Sequence, residues 1–455
     1  MPDAANGNET DGSFIMNIGI LTIGDELTGG LIRNDNAAWI ASRLTLMGWN
    51  IAAVLTVPDR EDAIRQALDF FPPHCGALLI TGGLGPTADD ITTATIAKAC
   101  GRQLVVSQTV LDALRKRIKD RGGRWSSGYA RQALYPEGAR LIPNHMGSAW
   151  GFSCPYQECL LIALPGVPEE ARRMVADQVI PLLEQHAPGK PQAVRITTLK
   201  CFGLAEIEIE TKIRDLIPPS GPVRIGYYPR FPEVYLVLSA RHRHAEKAEA
   251  SLVSVLNAVR TALEPFLFAC DEETLAGVVG KLLTQKGISL AVAESCTGGL
   301  IADLLTDISG SSRYFERSVV TYSNVSKTQI LHVPEAVLAD HGAVSEPTAR
   351  RMAEGIRQAA GTTLGLSTTG IAGPTGAVPG KPVGTVYIAL AGPDGTICRH
   401  CHFHQDRRRV KIAAAYTALM MLRAYLLASP SETLHSLHED NKDDHISDDP
   451  GLPGH

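Results

Sequence analysis

A chain of 455 residues with 44% hydrophobic and 20% charged residues is long enough to bury several cores and to divide into two or three domains. Its net charge of −5 supplies no general electrostatic pull toward nucleic acid or an anionic membrane, so neither is expected as a partner, a local basic patch aside. Met1 to Phe14 is polar and acidic, without the basic and then apolar stretches of a secretory signal, and Met16 offers a second start of translation. With no uninterrupted apolar run near the ~20 residues that span a bilayer, the expected location is the cytoplasm, with the nine cysteines mostly reduced.

Short apolar runs alternate with helical patterns along most of the chain, which argues for parallel sheets covered by helices, an α/β class. Ile18 to Ile23 reads as a strand, Asn36 to Leu46 as a helix, and Ile51 to Val57 and Ala77 to Ile80 as strands. Two loops leave strand ends: Gly24-Asp25-Glu26-Leu27, and Gly82 to Asp90, which contains Gly83, Gly85, Thr87 and Asp89. In an open parallel sheet such loops form the ligand crevice, so both are expected to face one pocket, the glycines suiting a phosphate and the acids a metal. Leu160 to Ala163 is a further strand, left through Pro165 and Gly166 into a helix with Pro168 early and Glu169 and Glu170 in its first turn.

From about Ala171 to Pro265 the pattern weakens. Ala193 to Leu199 and Val234 to Ser239 are strand-like, Gly226 to Pro229 reads as a loop, and helical stretches flank them, as in a small α+β connector. A new helical pattern begins at Glu273; Ile288 to Val292, Leu364 to Thr368 and Thr396 to Phe403 read as strands and Val410 to Leu427 as a helix. The expected organisation is two parallel-sheet α/β domains, 17–172 and 269–427, joined by a connector domain, 173–268. Disordered ends are expected at 1–16 and at the Ser-, His- and Asp-rich 428–455. No fixed-period repeat is visible.

Cys398-Arg399-His400-Cys401-His402 matches the spacing of covalent haem attachment and, with His404, suggests zinc. Strand alternation would split these side chains between two faces, which argues against both ligands. The turn Ala293-Glu294-Ser295-Cys296-Thr297-Gly298-Gly299 is more informative. It places two nucleophile candidates between a strand and a helix, where unpaired helical N–H groups can meet an anion or a developing oxyanion. Spacing cannot choose between Ser295 and its neighbour Cys296, although a thiol is intrinsically the stronger nucleophile.

Taken together, these motifs resemble the CinA family of competence/damage-inducible proteins from about Asn17 to Leu427. Gly24 to Leu27, Gly82 to Asp90 and Leu164 to Glu169 carry the likeness to a molybdopterin-binding-type domain. Ala293 to Gly299, Ser309 to Ser312, Val320 to Asn324, Lys327, Gly342 to Ser345, Thr369 to Gly376 and Lys381 to Gly384 carry the likeness to a nicotinamide mononucleotide deamidase domain. The chain departs from the family pattern at Gly147-Ser148-Ala149-Trp150-Gly151, where proline usually stands at the tryptophan, and at Arg131-Gln132-Ala133, where lysine usually stands first. Trp150 is expected to narrow the first pocket or to stack on a base.

The resemblance implies an amidohydrolase that converts nicotinamide mononucleotide to nicotinate mononucleotide and ammonia without a cofactor. Ser295 is then the nucleophile and Lys327 the base, Tyr322 relays or orients the proton between them, and Cys296 is a packing residue. Amides after Ser295 would form the oxyanion hole. Thr297, Gly298, Gly299, Asn324, Gly370, Ala372, Gly373 and Gly376 are expected at the substrate, with Arg407 and Arg409 adding charge for its phosphate. For the first domain the resemblance implies either hydrolysis of an ADP-ribose-type pyrophosphate or nucleotide or pterin binding without turnover. Gly24, Asp25, Glu26, Gly82, Gly83, Gly85, Thr87, Pro165 and Gly166 would bind the ligand. Asp89 and Asp90 would hold Mg²⁺ or another divalent cation, with a monovalent cation as a further option. The alternatives are a nucleotide-sensing regulatory protein and a molybdenum-cofactor-related binding protein. Partners are expected to be small-molecule nucleotides and a second copy of the chain in a homodimer.

Overall fold

The computed structural model of the protein describes residues 16–428, so the two expected disordered ends lie outside the described residues apart from Met16 and Ala428. The chain divides into two compact units, one built from residues 1–195 and 240–250 and the other from 196–239 and 251–455.

The first unit holds β1 (Asn17–Ile23), β2 (Asn50–Val57) and β3 (Ala77–Thr81), with β4 (Leu104–Val106) and β5 (Leu134–Pro136) forming a separate ribbon. β6 (Arg140–Ile142), β7 (Gly151–Tyr156) and β8 (Cys159–Leu164) complete a six-stranded sheet in the order β2-β1-β3-β8-β7-β6. β2, β1, β3 and β8 run parallel, while β7 and β6 are antiparallel additions at one edge. Side chains alternate between two cores: Leu21, Ile23, Leu78 and Ile80 enter one, and Ile18, Ile20, Ala77 and Leu79 the other. A sheet buried on both faces explains why its strands read as continuous apolar runs. Helix α1 (Asp35–Leu46), capped by the Asn34 side chain on the Ala37 N–H, covers one of these faces through Ile40 and Leu44. Helices α2 (Thr92–Ala99) and α3 (Pro168–Met174) follow the loops that leave β3 and β8.

A four-stranded sheet follows in the order β10-β11-β9-β12, built from β9 (Ala193–Phe202), β10 (Val223–Arg230), β11 (Glu233–His242) and β12 (Leu267–Cys270), with α4 (Ala245–Leu263) between the last two strands. Gly226 to Pro229, expected as a loop, lies within β10. The glycine and proline look like breakers, but Pro229 stands one residue from the end of the first strand of the sheet, where a missing N–H is tolerated.

The second unit continues with α5 (Leu275–Lys286), β13 (Leu290–Glu294), α6 (Leu300–Thr306), β14 (Phe315–Val320), α7 (Asn324–Leu331), α8 (Glu346–Ala360), β15 (Leu364–Gly370), β16 (Thr385–Gly392), β17 (Gly395–His402) and α9 (Arg407–Leu427). The sheet order is β14-β13-β15-β16-β17, with β13 parallel to both neighbours and β15, β16 and β17 antiparallel in succession. Leu290 and Val292 point into a core shared with α5 and α9, whereas Ala291 and Ala293 face Met352 and Ile356 of α8. Helix α9 is, contrary to the sequence reading, long and apolar enough to cross a bilayer by length and composition. Val410, Ala414, Ala418 and Leu422 are fully buried in the core of this unit, which accounts for that composition.

Candidate active site

β13 ends at Glu294, and the chain turns through Ser295 to Gly299 before α6. Gly298 and Gly299 adopt left-handed φ values of 62° and 94°, which a side chain would strain. The Ser295 N–H donates to Thr368 O at 2.9 Å, and the Thr297 and Thr368 hydroxyls bond at 2.7 Å. Thr297, expected at the substrate, is fully buried and braces the turn against β15 instead.

The expected open helix N-terminus is also revised. The fully buried Glu294 carboxylate accepts the N–H groups of Gly299 at 2.9 Å, Ile301 at 3.2 Å and Ala302 at 3.0 Å, and the Ser318 hydroxyl at 3.3 Å. The protein's own acid therefore satisfies the amides that would otherwise meet an anion. The amides of Cys296, Thr297 and Gly298 stand outside this cap. Sequence reasoning passed over Glu294; an acid ending an apolar strand directly before a glycine turn was the available signal.

Lys327 comes from the first turns of α7, whose start is fixed by a Ser323–Ser326 capping box. Its side chain runs inward with 1% exposure. Nζ donates to Thr321 O at 2.7 Å and to Ser295 Oγ at 3.1 Å. Burial pulls the amine down from 10.5 to about 8, the ordinary direction for a cation withdrawn from water. Cys296 lies beside Ser295 but packs into the apolar core, and burial pushes its thiol up to about 12. A thiol so placed stays protonated at neutral pH, which makes it the weaker candidate despite its intrinsic reactivity.

Tyr322 does not stand between these two groups. Lys327 reaches Ser295 directly, while Tyr322 is 60% exposed and its hydroxyl accepts from Arg407 Nη2 at 2.8 Å. The relay is therefore replaced by direct contact; the carbonyl of the preceding residue, Thr321, holds the lysine and Tyr322 itself turns to the rim. Asn324 opens α7 with its side chain exposed.

Arg407 Nη1 also donates to Gly373 O at 2.8 Å, so one guanidinium joins Tyr322 to the Gly370 to Gly376 loop. Within that loop Gly370 pairs with Val386 in the sheet and the Ile371 N–H donates to Thr385 O. Ala372, Pro374, Val383, Arg407, Arg408 and Lys411 line a cleft here. Arg409 does not. It lies about 200° around the helix from Arg407, given about 100° per residue, and its guanidinium sits 5.1 Å over the Phe231 ring. Lys411, one turn beyond Arg407, shares the cleft face and was missed by sequence reasoning; the i, i+4 spacing was its signal.

The first unit has its own crevice of about 430 Å³, at the carboxyl ends of β1, β3 and β8. Gly24, Glu26, Gly82, Gly83, Gly85, Pro165, Gly166, Asp89 and Asp90 line it, as the paired loops led one to expect. Gly82 has φ 108°, and a Cβ there would lie 2.1 Å from Ile23 O. Asp25 and Thr87 are outside this lining and act as braces: Asp25 Oδ1 accepts the Asp59 N–H at 3.2 Å, and the Thr87 N–H donates to Asp90 Oδ2 at 2.8 Å. Asp90 also accepts the Gly85 N–H at 2.7 Å. Both its oxygens are thus engaged by the loop, while Asp89 lines the crevice beside it. Asp59, absent from the sequence-based site, lines the crevice; its carboxyl is raised by burial and further by Asp25, Glu26 and Asp89. Trp150 packs on the core beside Ser148 and Ala149, which reach the crevice in its place, and Arg131 Nη1 donates to Thr87 O at 3.4 Å.

The two sheets and their crevices define a modular α/β protein with a separate ligand-sized site in each unit. Residues 19–185 match the family described as probable molybdopterin binding domain, 197–269 the damage-inducible protein CinA KH domain, and 272–426 the CinA C-terminal domain. The chain is 50% identical to a CinA-like protein of Syntrophus aciditrophicus over 414 residues, covering 91% of this chain and 99% of that one. It is 44% identical to a CinA-like protein of Geobacter sulfurreducens, covering 91% and 100%. Similarity extends to the crystal structure of competence/damage inducible protein CihA from Agrobacterium tumefaciens, at 39% identity and a TM-score of 0.32, covering 33% of this chain and 92% of that one. The chain belongs to the CinA family.

Proposed function

We propose that the second unit is an amidohydrolase acting on nicotinamide mononucleotide, with Ser295 as nucleophile and Lys327 as base. The observation that carries this reading is the buried lysine amine 3.1 Å from the serine hydroxyl. The neutral amine accepts the Oγ proton as Oγ attacks the carboxamide carbon, and the oxyanion forms against amides of the turn that follows Ser295. The resulting ammonium returns its proton to the departing nitrogen, which releases ammonia and leaves an acyl-enzyme. Lys327 then takes a proton from water as hydroxide adds to the acyl carbon and returns it to Oγ as the C–Oγ bond breaks; the acid product loses its proton to solvent, which leaves the carboxylate, the Ser295 hydroxyl and the neutral amine. Thr321 O holds the amine in line throughout. Each group in these steps belongs to the chain, so turnover is expected to survive a chelator.

Ammonia and nicotinate mononucleotide production by wild type and Ser295→Ala, with and without chelator, tests the proposal. No turnover by folded wild type would favour a nucleotide sensor instead.

A second reading applies to the first unit, where glycine amides and acids share one crevice. It supports binding, and hydrolysis, of a nucleotide pyrophosphate of the ADP-ribose class. Mg²⁺ usually takes one or two carboxylates plus substrate phosphates, and Asp59 and Asp89 rather than Asp90 are the acids that suit it. The ion would neutralise phosphate charge. Release of AMP from ADP-ribose, with and without added Mg²⁺, separates turnover from binding alone, including binding of a pterin-type ligand. Cytoplasmic location and a homodimer complete the proposal by resemblance to the family; sedimentation tests the dimer.

A further inference from the structure

Lys411 is half-buried, and among the described residues its ammonium has no hydrogen-bond or ion-pair partner. A Cβ placed on Gly298 would lie 3.4 Å from Lys411 Nζ, so the ammonium stands over the turn that carries Ser295. Arg407, on the same face of α9, already spends its guanidinium on Gly373 O and the Tyr322 hydroxyl. Asp406, the acid at this end of the cleft, accepts the N–H groups of Arg408 and Arg409 at 2.8 and 3.0 Å, and its other oxygen lies 3.7 Å from Arg409 Nε. The cleft therefore contains a half-buried cation with no counter-ion among the described residues, over the turn that follows the nucleophile. Such a cation is costly alone and is offset by a bound anion.

We propose that Lys411 binds the phosphomonoester of the substrate and selects a mononucleotide over its dephosphorylated riboside, with Arg407 shaping the wall beside it. This rests on the amidohydrolase reading for the identity of the substrate, but not for the presence of the anion subsite. Gly298, with a left-handed φ of 62°, keeps the turn beneath the ammonium free of a side chain. A charge-assisted contact of this kind corresponds to a loss of about 10- to 100-fold in affinity when removed.

The experiment has two arms on the full-length protein. Calorimetric titration with inorganic phosphate compares wild type, Lys411→Met, Lys411→Arg and the exposed Lys286→Met, each checked by its melting midpoint. Binding is expected to contain a component weakened about 10- to 100-fold in Lys411→Met, largely kept in Lys411→Arg and unchanged in Lys286→Met. The second arm measures deamidation of nicotinamide mononucleotide and nicotinamide riboside. Lys411→Met is expected to raise KM for the mononucleotide by the same factor while leaving kcat, and KM for the riboside, near wild type. Unchanged phosphate binding in Lys411→Met, or an equal rise in KM for both compounds, overturns the proposal. If wild type turns over neither compound while the Lys411-dependent phosphate component persists, the amidohydrolase reading fails and the anion subsite stands.

Discussion

Raising the pH from 6 to 9 should switch on the second unit through one proton on Lys327. With the amine held at about 8 by burial, about 9% is neutral at pH 7 and about 1% at pH 6. An ordinary lysine near 10.5 would be about 0.03% neutral at pH 7, so burial enriches the reactive form roughly 300-fold. For amide hydrolysis, kcat/KM should therefore rise about tenfold per pH unit below 8 and level off above it. The same shift disfavours the folded state: the penalty, about 3 kcal/mol, is fully present below pH 8 and is relieved as the pH rises from 8 toward 10.5. Lys327→Met should accordingly abolish turnover while raising the melting midpoint at pH 7, since the buried cation is replaced by an apolar chain of similar length. The assay is steady-state ammonia release across pH 6 to 9, paired with calorimetric melting of both proteins. A rate independent of pH below 8, or a midpoint near 10, would refute the argument that burial makes this lysine a base.

Glu294→Gln should reduce turnover by at least ~10-fold and lower stability by about 1–3 kcal/mol, because a neutral amide cannot serve three amides and a hydroxyl as the carboxylate does; denaturant midpoints and kcat read both effects. Cys296→Ala should keep most of the turnover, and the native thiol should react slowly with iodoacetamide at pH 7.5, since burial holds it near 12; rapid alkylation coupled to inactivation would point to a catalytic thiol. In the first unit, Gly82→Ala should destabilise by more than about 2 kcal/mol, because a Cβ there meets Ile23 O at 2.1 Å on a left-handed backbone. An unchanged urea midpoint would contradict that crowding.

Much of the architecture was legible before any coordinates. The apolar runs of β1, β3, β8, β13 and β15 are buried on both faces, so each reads as a strand without needing its partners. The glycine turns after β3 and β13 likewise announce themselves, since left-handed φ at Gly82, Gly298 and Gly299 restricts which residues can stand there. Gly226 to Pro229 misled because its breakers are tolerated near the end of β10. Arg409 misled for another reason: adjacency in sequence put it beside Arg407, whereas helical rotation sends it to Phe231.

The sequence by itself determined the class of fold, the modular order and the short list of residues able to do chemistry, because those follow from local periodicity and from side-chain types. Only the tertiary structure decided which of them meet. Ser295 and Lys327 lie 32 residues apart and become partners because parallel β13 and β14 deliver their carboxyl ends side by side. The same packing withdraws Lys327 from water, turns Cys296 into the core, sends Tyr322 to the rim and commits Asp90 to its own loop. Burial, pKa and hydrogen-bond partnership are properties of neighbours distant along the chain, and local pattern carries no record of them.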